Sequence, residues 1–311
     1  VVARHRETLP LLALLALFLF LLSACGGAAG GSVGAGNNIS SSTLNVVAAE
    51  NFYGDIVKQL GGSHVNVTSI LADPNVDPHE YETNVNNAKA VFKANLVIEN
   101  GGGYDSWMDK LLEGSPNSSR IVIKGFDSAP NKIPDNEHVW YSIDNAQSIA
   151  QVITNGLKKL DPTDSTAFAS NNQTFNTSLN QIRQTMSGIK SKYNGTSVGL
   201  TETIFQYQTA PLGLKVLTPE EFQKAIAEGN DPPADSAIMA ENQVKSKQVK
   251  VLIYNEQTVS PVTTRLQNDA KAAGIPIVPV TETMPSNKTY QSWMLSQLGT
   301  LSQSLTRGNN G

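Results

Sequence analysis

The feature that most constrains this chain is a proline-free stretch from Thr163 to Gly195 with apolar residues at helical spacing. Phe168, Phe175, Leu179, Ile182, Met186, Ile189 and Tyr193 follow one another at intervals of 7, 4, 3, 4, 3 and 4. That rhythm marks one face of an α-helix. With Gly195 as its stop, the stretch predicts a helix of about 29 residues, a rod of roughly 43 Å. Such a rod is either an ordinary long core helix or a rigid spine between two bodies. The flanking sequence favours the spine, because strand and helix patterns alternate before it and resume after it.

Before the spine, Leu44–Ala48 reads as a strand, Asn51–Leu60 as a helix ending at Gly61-Gly62, and Val65–Leu71 as a second strand. Asn84–Lys93 is helical, Asn95–Ile98 a short strand, Tyr104–Leu112 helical and Arg120–Ile123 extended. Beyond the spine, strands are expected at Thr196–Thr201, Val249–Tyr254 and Ile275–Val280, and helices at Pro219–Glu228, Pro261–Ala273 and Lys288–Thr306. Strands separated by helices imply βαβ units and a largely parallel sheet. The expected fold class is therefore α/β with two lobes, each a mostly parallel sheet flanked by helices, joined by one long rigid helix. The lobes are assigned to 44–162 and 195–311, and the connecting helix to 163–194. Ligands of open α/β sheets sit beyond the carboxyl ends of strands, and His79, Glu202 and Glu282 all fall at or just past such ends.

The amino terminus carries Arg4 and Arg6, an apolar run from Leu9 to Leu22, and then Ser23-Ala24-Cys25. A basic start, a run of about 14 apolar residues and small residues at the cut describe a secretory signal peptide over 1–24. The run falls short of the roughly 20 residues a membrane-spanning helix needs. Its end resembles the bacterial lipobox, which makes Cys25 the expected lipidation site. Val1 reads as an alternative start codon rendered literally or as a truncated end. Residues 26–43 are almost all Gly, Ala, Ser, Thr and Asn. They cannot bury a core and behave as a loose tether spanning roughly 25 Å. Residues 25–43 thus read as a lipid anchor and leash, which places the body at the membrane's extracytoplasmic face.

Cys25 is the sole cysteine, so the body has no internal disulfide and no thiolate ligand. The formal charge is −4, and loss of Arg4, Arg6 and Glu7 with the leader leaves the remainder one unit more acidic. Nucleic acid calls for clustered Lys and Arg and is not an expected partner. Chemistry then rests on histidine, the commonest side-chain ligand for transition metals. His79 lies in Asp77-Pro78-His79-Glu80-Tyr81-Glu82, and His138 in Glu137-His138-Val139-Trp140-Tyr141. His64, in Gly62-Ser63-His64-Val65, reads as a surface turn residue with nothing nearby to share a metal.

Four segments taken in order resemble one family: Asn75–Glu82; Glu99-Asn100-Gly101 with Asp105-Ser106-Trp107; His138–Tyr141; and Val278–Thr283. The chain is similar to the zinc/manganese solute-binding lipoproteins of bacterial ABC importers. The resemblance implies a metal held between two lobes by four side chains. These are His79, His138, Glu202 (where the family has His or Glu) and Glu282 (where it usually has Asp). It implies delivery of the ion to an ABC permease in the membrane by a monomeric, lipid-anchored receptor.

Two neutral imidazoles and two carboxylates give a site of net charge −2, matched to a divalent ion. Nitrogen and oxygen donors suit Mn²⁺, Fe²⁺ or Zn²⁺, and the lack of sulfur disfavours Cu⁺. The oxygen of Glu202 leans toward Mn²⁺, the Irving–Williams order leans toward Zn²⁺, and the balance tips slightly to manganese. Asp105 and Trp107 read as lobe-packing residues, and Glu80 and Glu82 as solvent-facing or as orienting His79.

Two rival functions are an exported metallohydrolase and a metal-binding surface adhesin. The first lacks a His-Glu-x-x-His pair and a Gly-x-Ser-x-Gly elbow, so no enzymatic activity is expected. The second lacks adhesive repeats. A receptor for an organic solute calls for an aromatic-lined pocket, and no aromatic cluster is expected at the motifs.

Overall fold

The computed structural model describes residues 43–73, 76 and 81–310. The expected signal peptide, Cys25, the tether and His79 lie outside the described residues.

The first sheet is built from β1 (Leu44–Glu50), β2 (Val65–Leu71), β3 (Leu96–Glu99) and β4 (Ile121–Lys124), in the order β2-β1-β3-β4. The second uses β5 (Ser197–Leu200), β6 (Lys215–Val216), β7 (Val251–Asn255) and β8 (Ile277–Val280), in the order β6-β5-β7-β8. Every pairing in both sheets is parallel. Parallel strands need crossovers, usually helical ones. In the first lobe α1 (Asn51–Gly61), α2 (Val85–Lys93) and α3 (Ser106–Glu113) supply them. In the second lobe α7 (Gln206–Thr209), α8 (Glu220–Ala227), α9 (Ala234–Lys245) and α10 (Pro261–Ala273) take that place, and α11 (Tyr290–Asn310) closes the chain. A short α4 (Gly125–Ser128) follows β4.

The spine is α6 (Ser165–Tyr193), and its buried face holds Phe168, Phe175, Leu179, Ile182, Met186 and Ile189. Directly before it runs α5 (Ile143–Leu160), a second long helix that the sequence reading leaves out. α6 packs against α5, α1 and α11, so it backs elements of both lobes. One continuous apolar core consequently runs from Leu44 to Leu305 through both sheets.

Local chemistry explains several boundaries. The α10 helix starts on a Ser260–Thr263 capping box with Pro261 in its first turn, and stops at Gly274 with φ 72°, a left-handed geometry that suits glycine. The α2 helix begins on an Asn84–Asn87 capping box. Among the described residues no helix is long and apolar enough to cross a membrane.

Candidate metal centre

Three of the four sequence-predicted ligands fall among the described residues, and all three are buried: His138 (0% exposed), Glu202 (2%) and Glu282 (1%). Each sits at a boundary of regular structure. Glu202 is two residues past β5, Glu282 two past β8, and His138 opens the short 3-10 turn Val139–Tyr141. Both glutamates lie at carboxyl ends of parallel strands, where this topology leaves room for a ligand.

The His138 ring is fixed by Asn136. Asn136 Nδ2 donates to the carbonyl of Thr203 at 2.8 Å and to Gln206 at 3.0 Å, so its Oδ1 is the acceptor. That oxygen takes the His138 backbone N–H at 3.1 Å and faces Nδ1 at 3.0 Å. An oxygen that only accepts puts the proton on Nδ1. The lone pair of the neutral ring then lies on Nε2, the arrangement a ligating imidazole needs.

Glu202 reaches the same place through its neighbour. Thr203 Oγ1 is 3.4 Å from His138 Nδ1 and 3.4 Å from Glu202 Oε2. Glu202 Oε2 also accepts the backbone N–H of Ile204 at 2.9 Å. Its other oxygen, Oε1, is buried without a hydrogen-bond partner among the described residues. Burial and then the charge of Glu282 hold the Glu202 carboxyl well above the usual carboxylate range. A buried carboxylate oxygen with no donor is costly. A divalent cation shared with a second carboxylate would remove the cost.

Glu282 is held from both lobes. Asn255 donates to Oε1 at 2.7 Å and Thr258 at 3.1 Å, while Tyr104 of the first lobe donates to Oε2 at 2.9 Å. Such donors fix the carboxylate and leave it lone pairs with which it could bind a metal. Tyr104 is presented by a turn with three successive positive-φ residues, Gly101, Gly102 and Gly103 (φ 72°, 67° and 96°). A Cβ at Gly102 would come within 2.8 Å of the Phe126 ring. The turn is pinned by Asp105, whose carboxylate accepts the backbone N–H of Asn100 at 2.6 Å and of Gly101 at 2.7 Å. Asp105 is thus a turn-fixing residue, a more specific role than lobe packing.

Two expectations need correction. Aromatic rings do gather at the motifs: Trp140 stacks on Phe52 at 4.5 Å, Tyr104 lies 4.7 Å from Trp140, and His138 5.2 Å from it. The aromatic share of the composition is low, but non-local packing concentrates it here. Phe52, Tyr104 and Trp140 are at most 3% exposed, so the rings fill the core beneath the site. His64 also has neighbours, since its ligating nitrogen and one carboxylate oxygen each of Asp161 and Asp164 lie within 4.8 Å of one another. His64 Nδ1 is 2.6 Å from Asp164, and Asp161 Oδ1 accepts the backbone N–H groups of Thr163 and Asp164. These are the ion pair and turn bonds of a helix start, which satisfies the donors without a metal.

Missed altogether by sequence reasoning are Asn136, Tyr104 and Asn255, which hold His138 and Glu282 through hydrogen bonds. An isolated Asn or Tyr carries no periodic signal. The one available cue was the position of Asn255 at a strand end.

Comparison with known proteins bears on this geometry. A family model described as ZnuA, zinc-uptake complex component A, periplasmic, matches residues 46–304. The metal ABC transporter substrate-binding lipoprotein ScbA of Streptococcus cristatus is 30% identical over 195 residues, 57% of this chain and 60% of that protein. The manganese ABC transporter substrate-binding lipoprotein ScaA of Streptococcus gordonii is 32% identical over 168 residues, 50% of this chain and 54% of that protein. The matched stretch thus spans about half to three-fifths of these relatives. Among solved structures, the periplasmic zinc-binding protein TroA of Treponema pallidum superposes with a TM-score of 0.70 at 17% identity, covering 85% of this chain and 99% of that one. At that identity the likeness is one of fold.

Proposed function

Because this chain belongs to the ZnuA family of zinc-uptake components, whose members and relatives are transport receptors and not enzymes, we propose that it captures a divalent metal ion between its lobes. It passes the ion to a membrane permease, as the lipid-anchored, extracytoplasmic receptor of an ABC importer. The observation that carries this reading is the buried pair Glu202 and Glu282 beside His138, with Glu202 Oε1 lacking a donor among the described residues. His79 supplies the fourth donor and Cys25 the lipid attachment.

Two imidazoles and two carboxylates favour Mn²⁺ slightly over Zn²⁺, since the second carboxylate makes the site harder. The name of the streptococcal manganese receptor points the same way. Ions enter at the strand ends, and closure across the cleft is small because α6 backs elements of both lobes.

A ligating imidazole must be neutral and a ligating carboxylate ionised, so protons compete with the metal. Affinity therefore falls as pH drops below about 6.5, the ordinary imidazole value. The elevated Glu202 carboxyl pushes in the same direction. Metal analysis of protein purified without chelator, followed by Mn²⁺ and Zn²⁺ titration at pH 7.5 and 5, tests the reading. One bound ion per chain and a large loss of affinity at pH 5 are expected. Failure to bind either ion at pH 7.5, or a flat pH response, would refute it.

A further inference from the structure

The loop that carries Glu282 is not held by backbone pairing. Four consecutive backbone N–H groups donate instead to side-chain carboxamide oxygens. Thr281 donates to Gln297 at 3.3 Å, Glu282 and Thr283 to Gln257 at 2.6 and 3.0 Å, and Met284 to Asn51 at 2.9 Å. The three carboxamides come from three places: α11, the loop after β7, and the first residue of α1 in the opposite lobe.

Two of these amides do more than accept. Asn51 also donates Nδ2 to the carbonyl of Met284 at 2.7 Å, so one side chain grips both backbone groups of one residue, as a neighbouring strand would. Gln257 donates Nε2 to Thr283 Oγ1 at 2.9 Å and to the carbonyl of Val76 at 3.1 Å. Val76 belongs to the first lobe and precedes His79 by three positions in the sequence. Asn51 and Gln257 therefore stitch the backbone of the loop holding Glu282 across the lobes with side chains that carry no charge and that the proposed ligand set does not use.

We propose that Asn51 and Gln257 are positioning residues, a carboxamide latch that fixes the Glu282 loop against the first lobe and so sets how long a bound divalent metal stays. This rests on Glu282 being a ligand. Two further cross-lobe bonds reach the same loop, from the Tyr141 hydroxyl to the carbonyl of Thr281 at 2.6 Å and from Tyr104 to Glu282 itself, while others serve the start of α11: Asp55 accepts the backbone N–H of Tyr290 at 2.8 Å, and Gln59 pairs with Gln291 at 3.0 and 2.9 Å. A carboxamide suits the latch because it donates and accepts from one planar group. A carboxylate in its place would keep the acceptor and lose the donor.

The test uses the whole mature protein with Mn²⁺ and Zn²⁺ as probes, and reads association and dissociation separately by stopped-flow chelator competition. Groups that orient a ligand typically change metal affinity 10–100-fold when removed. Asn51→Ala and Gln257→Ala are each expected to speed dissociation by at least about 10-fold while association changes by less than about 3-fold. Asn51→Asp and Gln257→Glu, near-isosteric changes, are expected to fall between wild type and the alanine variants, and serve if an alanine variant does not fold. The decisive comparison is the Glu282→Gln background, where Asn51→Ala should add no further acceleration. Unchanged dissociation in both alanine variants overturns the latch, as does equal acceleration with and without the Glu282 carboxylate. If Glu282→Gln alone leaves affinity intact, the ligand assignment fails first and takes the latch with it.

Discussion

In the first sheet the inner strand β3 ends on Glu99, and the edge strand β4 ends beside it on Lys124, its register partner. In the second sheet the inner strand β7 ends on Asn255, and the edge strand β8 runs into Glu282. Strand order and direction are the same, but the chemistry at the strand ends is reversed. Lys124 Nζ lies 2.9 Å from Glu99 and 2.8 Å from Asp109, and burial still pushes the Glu99 carboxyl up to about 7. Glu50, at the end of β1, is fully buried; burial and the charge of Asp105 hold its carboxyl well above the usual range. Asp105 accepts from two backbone amides, which favour its ionised form, so burial bears harder on the charge of Glu50 and favours its protonated form. The first lobe therefore neutralises its strand-end acids with a lysine and a proton. In the second lobe Asn255, Thr258 and Tyr104 donate to Glu282, and Glu202 takes part in no ion pair among the described residues. One topology thus sets an acid–lysine pair at the strand ends of the first lobe and, in the second, two buried carboxylates that feel each other's charge, the pair to which a cation is proposed to bind.

The sharpest way to break this contrast is Glu202→Gln, which removes the charge and keeps the shape. Metal affinity is expected to fall at least about 100-fold by isothermal titration, the scale of losing a charged ligand. An affinity within about 3-fold of wild type would remove Glu202 from the proposed ligand set. Lys124→Met strips the first lobe of its built-in cation. Urea unfolding at pH 8 should show a loss of about 1–2 kcal/mol, since a hydrogen bond to a buried charge is lost but the lysine is half exposed. Metal affinity should barely move.

Glu50→Gln sharpens the comparison through pH. A carboxyl raised in the folded state stabilises the protein below the unfolded value of about 4.3, and that contribution is lost as pH rises toward the folded value. Glu99, at about 7, acts with the same sign. Wild-type stability should therefore decline from pH 5 upward, by up to about 1.4 kcal/mol per pH unit for each such proton. In Glu50→Gln one of these contributions disappears, so parallel pH profiles for the two proteins would contradict the assignment. The smallest effect is expected for Tyr104→Phe, which removes one bond from Glu282. Metal binding should weaken by about 5- to 10-fold, in keeping with a single hydrogen bond to a carboxylate.

Much of this architecture was legible in the chain. The apolar stripe from Phe168 to Ile189 lies buried on α6 as its spacing predicts, and Pro261–Ala273 is helical over the expected range. What escaped notice has physical causes. In α5 the buried face mixes Ile143, Ile149, Ile153 and Leu157 with Ala146, Ala150 and Gly156, so small residues dilute the stripe. In α9 the large apolar residues Ile238 and Met239 are exposed while Ala240 and Val244 are buried, which inverts the usual cue. The two-residue strand β6 is too short to show alternation at all. At the site, His138, Glu202 and Glu282 were singled out through the family motifs, with strand-end position adding support for the two glutamates, and all three are buried. Asn51 and Met284 meet across 233 positions, a pairing no local pattern records.

The spine carries a last consequence. A helix that packs on α1 and α11 at once gives the two halves little room to swing apart, so full and empty molecules would present nearly the same outline. Under the proposed function, a permease meeting both would have to sort them by fine local differences near the mouth of the cleft. Empty molecules would occupy its docking face for part of every cycle. Traffic would depend on the ratio of full to empty molecules as much as on how tightly each one grips its cargo.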